Sequence, residues 1–126
     1  MKTYEYTSPS GETLNFKLTV SGVIDIEKRT GKSISDLLTE FDKVSISAIF
    51  IASALSGGSY NEREEKALKL FEELIEDGKT IVDYQMIVLN IVTEAGFMTA
   101  QRLNAYKMLM AKQEFLLGKS AETLQR

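Results

Sequence analysis

The part of this 126-residue sequence that comes closest to a chemical site is a run of carboxylates at Glu72, Glu73, Glu76 and Asp77. Glu72 and Glu76 stand one helical turn apart, which is the spacing that a hard cation would require of two oxygen ligands on one helix. Both lie on the polar side of the predicted helix, and the sequence has no histidine to join them. We therefore interpret the run as a hydrated acidic surface and predict no metal site.

Most residues that enzymes use for catalysis are missing from the composition. The chain has no cysteine and no histidine, which excludes disulfides, zinc–thiolate sites, thiol catalysis and Ser–His–Asp arrangements. Asp25 and Glu27 stand near Lys28 and Arg29, and a catalytic pair could be built from them, but a surface charge cluster is the favoured interpretation. We predict a protein that is not an enzyme, with no catalytic residue and no cofactor.

The bulk composition is that of one folded domain. Of the residues, 44% are hydrophobic and 26% are charged, and there is a single proline. We predict a single domain over residues 1–118 and a frayed tail over residues 119–126. The polar start, MKTYEYTSPSGE, contains no apolar run, so we expect neither a secretory signal nor a membrane anchor, and we expect a cytoplasmic protein.

An apolar stretch, Ser45–Leu55 (SISAIFIASAL), is the element that the others must surround. It has almost no polar face, which is typical of the central helix of a helical core, and it is far shorter than the ~20 residues that span a bilayer. We predict a mainly α fold, a compact helical domain of about five to six helices with a short N-terminal β-hairpin. The body that positions any surface site is therefore helical.

The hairpin is predicted over residues 4–19, with strands Tyr4–Thr7 and Glu12–Thr19 on either side of the turn cluster Ser8-Pro9-Ser10-Gly11. In the second strand Leu14, Phe16 and Leu18 alternate with polar residues, which gives the strand one apolar face. Because an isolated hairpin is marginally stable in water, we expect this face to pack on the helices.

The helical body is predicted over residues 20–96. The first expected helix is capped by Thr19 or Ser21 and ends near Thr30, where Gly31 can adopt a left-handed conformation, and the second runs from Ser33, paired with Asp36, to Phe41. The others are the central helix capped by Ser45 or Ser47, a helix from Asn61, paired with Glu64, to Asp77, and a helix from Thr80, paired with Asp83, to Ala95. The fourth has an expected buried stripe of Ala67, Leu68, Leu70, Phe71, Leu74 and Ile75. We expect the fourth and fifth helices to pack on the central one. The loop Ser56–Ser59 is the best hinge candidate, although an ordinary helix–helix connection is favoured.

The last helix is predicted over residues 99–117, capped by Thr99, and it differs in charge from the rest. Residues 1–96 contain 10 basic and 16 acidic residues, whereas residues 97–126 contain 5 basic and 2 acidic residues. A methionine-rich amphipathic helix is typical of a protein-binding or self-association face, and equally of core packing. The residues predicted to contact a partner are Met98, Arg102, Tyr106, Met110 and Phe115. Nucleic acid is a less favoured ligand, because the cations are spaced apart and no nucleic-acid motif is present.

The order of several short phrases resembles the tail assembly chaperones of long-tailed (siphovirus-type) bacteriophages and prophages. The phrases are YEYTSPSGETLNFKLTV, SGVIDIEKRTGKSISDLL, ISAIFIASAL and VTEAGF, and IEKRTGKSISDLL (Ile26–Leu38) is the most telling. The resemblance covers about Tyr4 to Phe97 and is a pattern of elements rather than a catalytic signature.

The resemblance implies a non-enzymatic protein of the host bacterial cytoplasm that binds the tape-measure protein, helps to recruit tail-tube subunits and is absent from the mature particle. It also implies two lengths, the longer made by programmed frameshifting, and Gly118-Lys119 is a dipeptide that a slippery GGN-AAR heptamer could encode. The residues themselves leave a second hypothesis open, a helical regulatory or nucleic-acid-associated adaptor that uses the basic C-terminal segment.

Overall fold

The structure is a computed structural model that describes residues 2–40, 42–99, 101–102, 104–112 and 115. Its elements are β1 (Tyr4–Thr7), β2 (Thr13–Phe16), α1 (Val20–Thr30), α2 (Ile34–Leu37), α3 (Val44–Ala54), α4 (Tyr60–Glu76) and α5 (Ile81–Glu94). A further helix, here called the C-terminal helix, includes the described residues 101–102, 104–112 and 115. The predicted mainly α fold with an N-terminal hairpin is confirmed. The predicted tail at residues 119–126 lies outside the described residues, as does Gly118.

The hairpin closes one side of the core as predicted. Its strands are antiparallel, and Tyr4 is paired with Phe16. Phe16 and Leu18 are buried, and the backbone N–H of Lys17 donates a hydrogen bond of 2.8 Å to the carbonyl oxygen of Ala54 at the end of α3. The apolar face of the second strand therefore lies on the helices, which gives the two strands the support that an isolated hairpin lacks.

Helix α3 lies at the centre and packs against α1, α4 and α5. Phe50, Ile51 and Ala52 are fully buried, as expected of a helix with no polar face. Helix α5 is the second strongly apolar helix, and the Tyr84 hydroxyl donates a hydrogen bond of 2.6 Å to the carbonyl oxygen of Ala67, which connects α5 to α4. Burial raises the pKa of Tyr84, so this hydroxyl stays protonated and remains a donor.

Several helix ends lie where the sequence predicts them. Thr19 caps α1, and Gly31 ends it with a φ of 70°. Ser33 caps α2 by accepting a hydrogen bond from the N–H of Asp36. At α5, Thr80 and Asp83 form the complete reciprocal capping box. These predictions are confirmed. Each of them depends only on residues that lie a few positions apart in the sequence, so the local sequence is enough to make them.

Other helix ends correct the predictions. Helix α2 stops at Leu37 instead of continuing to Phe41, which lies outside the described residues. After it the chain turns more tightly, since the N–H groups of Thr39 and Glu40 donate to carbonyl oxygens three residues back, at 3.1 and 2.9 Å. Helix α3 begins at Val44, and its N-cap, Lys43, makes no side-chain capping bond, so neither Ser45 nor Ser47 caps it.

The start of α4 is also two residues earlier than predicted. Ser59, rather than Asn61, is the N-cap, and its Oγ accepts a hydrogen bond of 3.2 Å from the N–H of Glu62. The serine and the glutamate three residues later form the same kind of capping pair that we assigned to Asn61 and Glu64. Both pairs are compatible with the local sequence, and the structure has the first.

The loop at residues 56–59, our hinge candidate, is held to α4 by one arginine. The Arg63 guanidinium donates to the carbonyl oxygen of Ala52 from Nε at 3.1 Å and to that of Gly58 from Nη1 at 3.0 Å. Gly58 has a φ of 70°, and a Cβ atom there would lie 2.7 Å from Glu62 Oε2. These contacts support the interpretation of the loop as an ordinary, tightly held connection.

Replacing Arg63 with methionine is expected to lower the free energy of unfolding by about 1–2 kcal/mol, because the carbonyl groups of Ala52 at the end of α3 and of Gly58 in the loop lose a charged donor. The measurement is urea denaturation followed by circular dichroism. The matched control is Lys66→Met, which removes the same charge from an exposed position of the same helix and is expected to cost less than about 0.5 kcal/mol. Equal losses in the two variants would mean that Arg63 does not hold the loop.

Candidate partner-binding surface

The C-terminal helix is docked on the body through its inner side. Thr99 Oγ1 accepts a hydrogen bond of 3.2 Å from the N–H of Arg102, which confirms Thr99 as the cap. One turn further on, the Tyr106 hydroxyl donates a hydrogen bond of 3.2 Å to the carbonyl oxygen of Leu38, just after α2. Met110 is only 7% exposed and belongs to the core cluster. The helix is therefore attached to the body by a small set of inward-facing side chains.

The five predicted contact residues do not form one surface. Met98 and Met110 are buried, and Tyr106 is half-buried, so these three attach the helix to the body. Arg102 and Phe115 are exposed, and the Arg102 guanidinium carbon lies 5.9 Å from the centre of the Tyr106 ring. In this arrangement only Arg102 and Phe115 are accessible to a partner, because a partner would have to displace the helix to reach the other three.

The outer side of the same helix is also apolar. Met108 is 75% exposed, Leu109 is 64% exposed and Phe115 is 67% exposed. Met108 and Leu109 fall within the predicted helix 99–117, but the sequence gives no basis for assigning them to its outer side, because apolar residues occur all round the helix. The spacing of seven residues between Met108 and Phe115, which puts both on one side, is the signal that points to this surface.

A pocket of about 140 Å³ lies where the helix meets the body. It is lined by Leu38, Thr39, Asp42, Gln85, Tyr106, Leu109 and Met110. Gln85 is only 2% exposed, so a polar side chain from α5 lies under the helix. The pocket marks incomplete packing between the C-terminal helix and the body.

Residues 3–123 match a family whose description is "Family of unknown function (DUF6096)". The chain belongs to the DUF6096 family. The matched range includes the C-terminal helix, so this helix is part of the family pattern rather than an appendage to it. Comparisons with curated proteins and with solved structures found no match.

The outer side of α4 also carries exposed apolar side chains. Leu68 and Ile75, which we assigned to the buried stripe, are 42% and 48% exposed, and this assignment is wrong. The helix buries Ala67, Leu70 and Leu74, and Leu68 and Ile75 lie outside this inward-facing set. Exposed glutamates, among them Glu72, accompany the two apolar side chains, and the described residues include no group of three potential metal ligands.

The charge cluster on α1 has structural contacts. The Arg29 side chain forms an ion pair of 2.9 Å with Asp25 and stacks on the Tyr60 ring, with its guanidinium carbon 3.3 Å from the ring centre. Burial raises the pKa of Tyr60 to about 12. The Glu27 carboxylate accepts a hydrogen bond of 2.9 Å from the N–H of Ile34. Arg29 therefore connects α1 to α4, and Glu27 connects α1 to α2.

In the described part of the chain, no helix is both long enough and apolar enough to cross a membrane.

Replacing Tyr106 with phenylalanine tests how the C-terminal helix is attached. The change removes the donor to Leu38 and keeps the ring, so the free energy of unfolding should fall by about 1 kcal/mol. Amide hydrogen exchange at residues 104–112 should accelerate, since opening of the helix becomes easier. Tyr6→Phe is the control, because that half-buried hydroxyl forms no hydrogen bond with a described residue. Unchanged exchange in Tyr106→Phe would contradict the proposed attachment.

Proposed function

We propose that this chain is a tail assembly chaperone of long-tailed bacteriophages or prophages. In this role it binds the tape-measure protein reversibly, helps to recruit tail-tube subunits in the host bacterial cytoplasm, and is absent from the mature particle. The support is of two kinds, the resemblance over Tyr4 to Phe97 and a surface suited to protein binding. Neither the resemblance nor the surface requires catalysis, a metal or a cofactor.

The observation that carries the proposal is the apolar outer side of the C-terminal helix. Met108, Leu109 and Phe115 are each more than half exposed on a helix whose opposite side is already docked. Contiguous exposed apolar side chains mark protein interaction sites, and methionine adapts its shape to different partners. A tape-measure segment that forms an amphipathic helix could pack along this side and so be kept from aggregating.

Co-expression with the tape-measure protein of the same gene cluster tests the proposal. We expect the tape-measure protein to move from the insoluble to the soluble fraction when this chain is present. A tape-measure protein that is equally soluble with and without the chain would contradict the proposal. The neighbouring genes give an independent check, since we expect a tail-tube gene upstream and a very long tape-measure gene downstream.

The two-length form is a separate part of the proposal. Gly118-Lys119 is compatible with a slippery heptamer, and the nucleotide sequence tests this directly. We expect a slippery run near the end of the reading frame and an overlapping downstream frame. Their absence would remove the frameshift product and would leave the binding function unaffected.

A second candidate function is a regulatory or nucleic-acid-associated adaptor. Arg102, Lys107 and Lys112 are exposed on the C-terminal helix, and none of them forms an ion pair with another described residue. Binding to phosphates through these cations would weaken steeply with salt. Salt-dependent retention of the purified chain on DNA or heparin would favour this candidate, and passage through both columns at low salt would eliminate it.

A further inference from the structure

An exposed row of side chains runs along α4. Leu68 and Ile75 lie seven residues apart and therefore on one side of the helix, and Glu72 lies between them, four residues after Leu68 and three before Ile75. Leu68 is 42% exposed, Ile75 is 48% exposed, and Glu72 is exposed as well. We call Leu68, Glu72 and Ile75 the acidic stripe. Because it is apolar at both ends and exposed, it is a surface that a second helix could cover.

The C-terminal helix carries a row with the same spacing and the opposite charge. Met108 and Phe115 are again seven residues apart, and Lys112 lies four residues after the first and three before the second. All three side chains are exposed. We call Met108, Lys112 and Phe115 the basic stripe. Neither Lys112 nor Glu72 forms an ion pair with another described residue, so each charge is available to a partner.

We propose that the basic stripe of one copy of this chain binds the acidic stripe of a second copy. With the two helices parallel, the matching intervals bring the lysine and the glutamate to the same level when the apolar residues meet. With the helices antiparallel, the two charges are offset by one residue. In both arrangements the lysine lies beside the glutamate, and apolar contacts lie on either side of this pair. Helices of coiled coils likewise place oppositely charged residues beside an apolar seam.

The alternative pairings of the same surfaces are less favourable. Two basic stripes would bring lysine against lysine, and two acidic stripes would bring glutamate against glutamate, so like charges oppose contact between identical surfaces. The contact is therefore between two different surfaces, and it can continue from copy to copy or close into a ring. We also expect the contact to be weak, because one pair of helices buries less surface area than a standard protein–protein interface, which buries about 1,600 Å² in total.

This inference goes beyond the proposed function and does not depend on it. A protein with no tape-measure partner would associate with itself in the same way. The two ideas are therefore tested separately, the chaperone function with the tape-measure protein present and the self-association with the purified chain alone.

The experiment is sedimentation velocity of the purified full chain from micromolar to near-millimolar concentration, with three variants. Lys112→Glu and Glu72→Lys each place like charges together, so each is expected to weaken association about tenfold. An equimolar mixture of these two variants restores the opposite charges across the contact, and it should associate as strongly as the unaltered chain. Val20→Glu, at an exposed apolar position of α1, is the control and should leave association unchanged.

Each outcome decides the proposal. Association that rises with concentration, is weakened about tenfold in each charge variant and returns in their mixture supports the pairing of the two stripes. A chain that stays monomeric at all concentrations overturns it. Association that persists in both charge variants also overturns it, because the contact then lies elsewhere.

Discussion

Replacing Phe50 with alanine is expected to lower the free energy of unfolding by about 3–5 kcal/mol. Phe50 is fully buried in α3, the helix that contacts α1, α4 and α5 at once. Removing the ring loses the favourable free energy of transferring it from water into the core. It also leaves a cavity, which the neighbouring helices could fill only by moving together. Since small domains are stable by about 5–15 kcal/mol, this single change consumes a large part of the total. Chemical denaturation monitored by circular dichroism measures the loss.

Ile24→Ala is the control for the Phe50 variant. Ile24 is also an apolar residue within a helix, but it is 47% exposed on α1, so its truncation is expected to change stability by no more than about 0.5 kcal/mol. A Phe50→Ala variant as stable as Ile24→Ala would show that α3 is not the centre of the core.

Replacing Phe115 with glutamate is expected to weaken binding to the tape-measure protein about thirtyfold, which corresponds to roughly 2 kcal/mol. The ring is 67% exposed on the outer side of the C-terminal helix, so it adds little to the fold and much to an apolar contact. A glutamate there would be buried without a partner when the complex forms. Titration of the purified chain into soluble tape-measure segments, followed by calorimetry, gives the change in affinity.

The matched control for this variant is Val20→Glu. Val20 is 58% exposed on α1, so the same charge is introduced at an apolar surface position on a different helix. We expect unchanged binding in this variant and unchanged folding in both. If both variants weaken binding equally, the effect is one of net charge, and the C-terminal helix is not the contact.

The parts of the fold that were predicted correctly depend on local sequence. The capping box of Thr80 and Asp83 and the left-handed Gly31 involve residues within one turn of each other, so the sequence contains all the information needed. The alternation of Leu14, Phe16 and Leu18 likewise marks the buried side of a strand without reference to the rest of the chain. The central position of α3 also follows directly, because a helix without a polar face has to be enclosed.

The parts that were predicted wrongly depend on how the elements pack. Leu68 and Ile75 fit an apolar stripe, but α4 contacts its neighbours over a narrower arc and leaves both of them exposed. On the C-terminal helix, apolar residues point in every direction, so sequence could not distinguish buried Met110 from exposed Met108. The sequence is therefore enough to predict the helix that carries the proposed partner surface. Which side of that helix is exposed depends on how it packs against the body.

Hydrogen exchange of the chain in the presence and absence of the tape-measure protein tests most directly whether the outer side of the C-terminal helix is the partner surface. Residues 104–112 are covered only on their inner side in the free chain, so their amides should exchange readily. We expect strong protection of this segment on binding, with little change in α3 and α5, which are already buried. Protection confined to another part of the chain, or no protection at all, would contradict it.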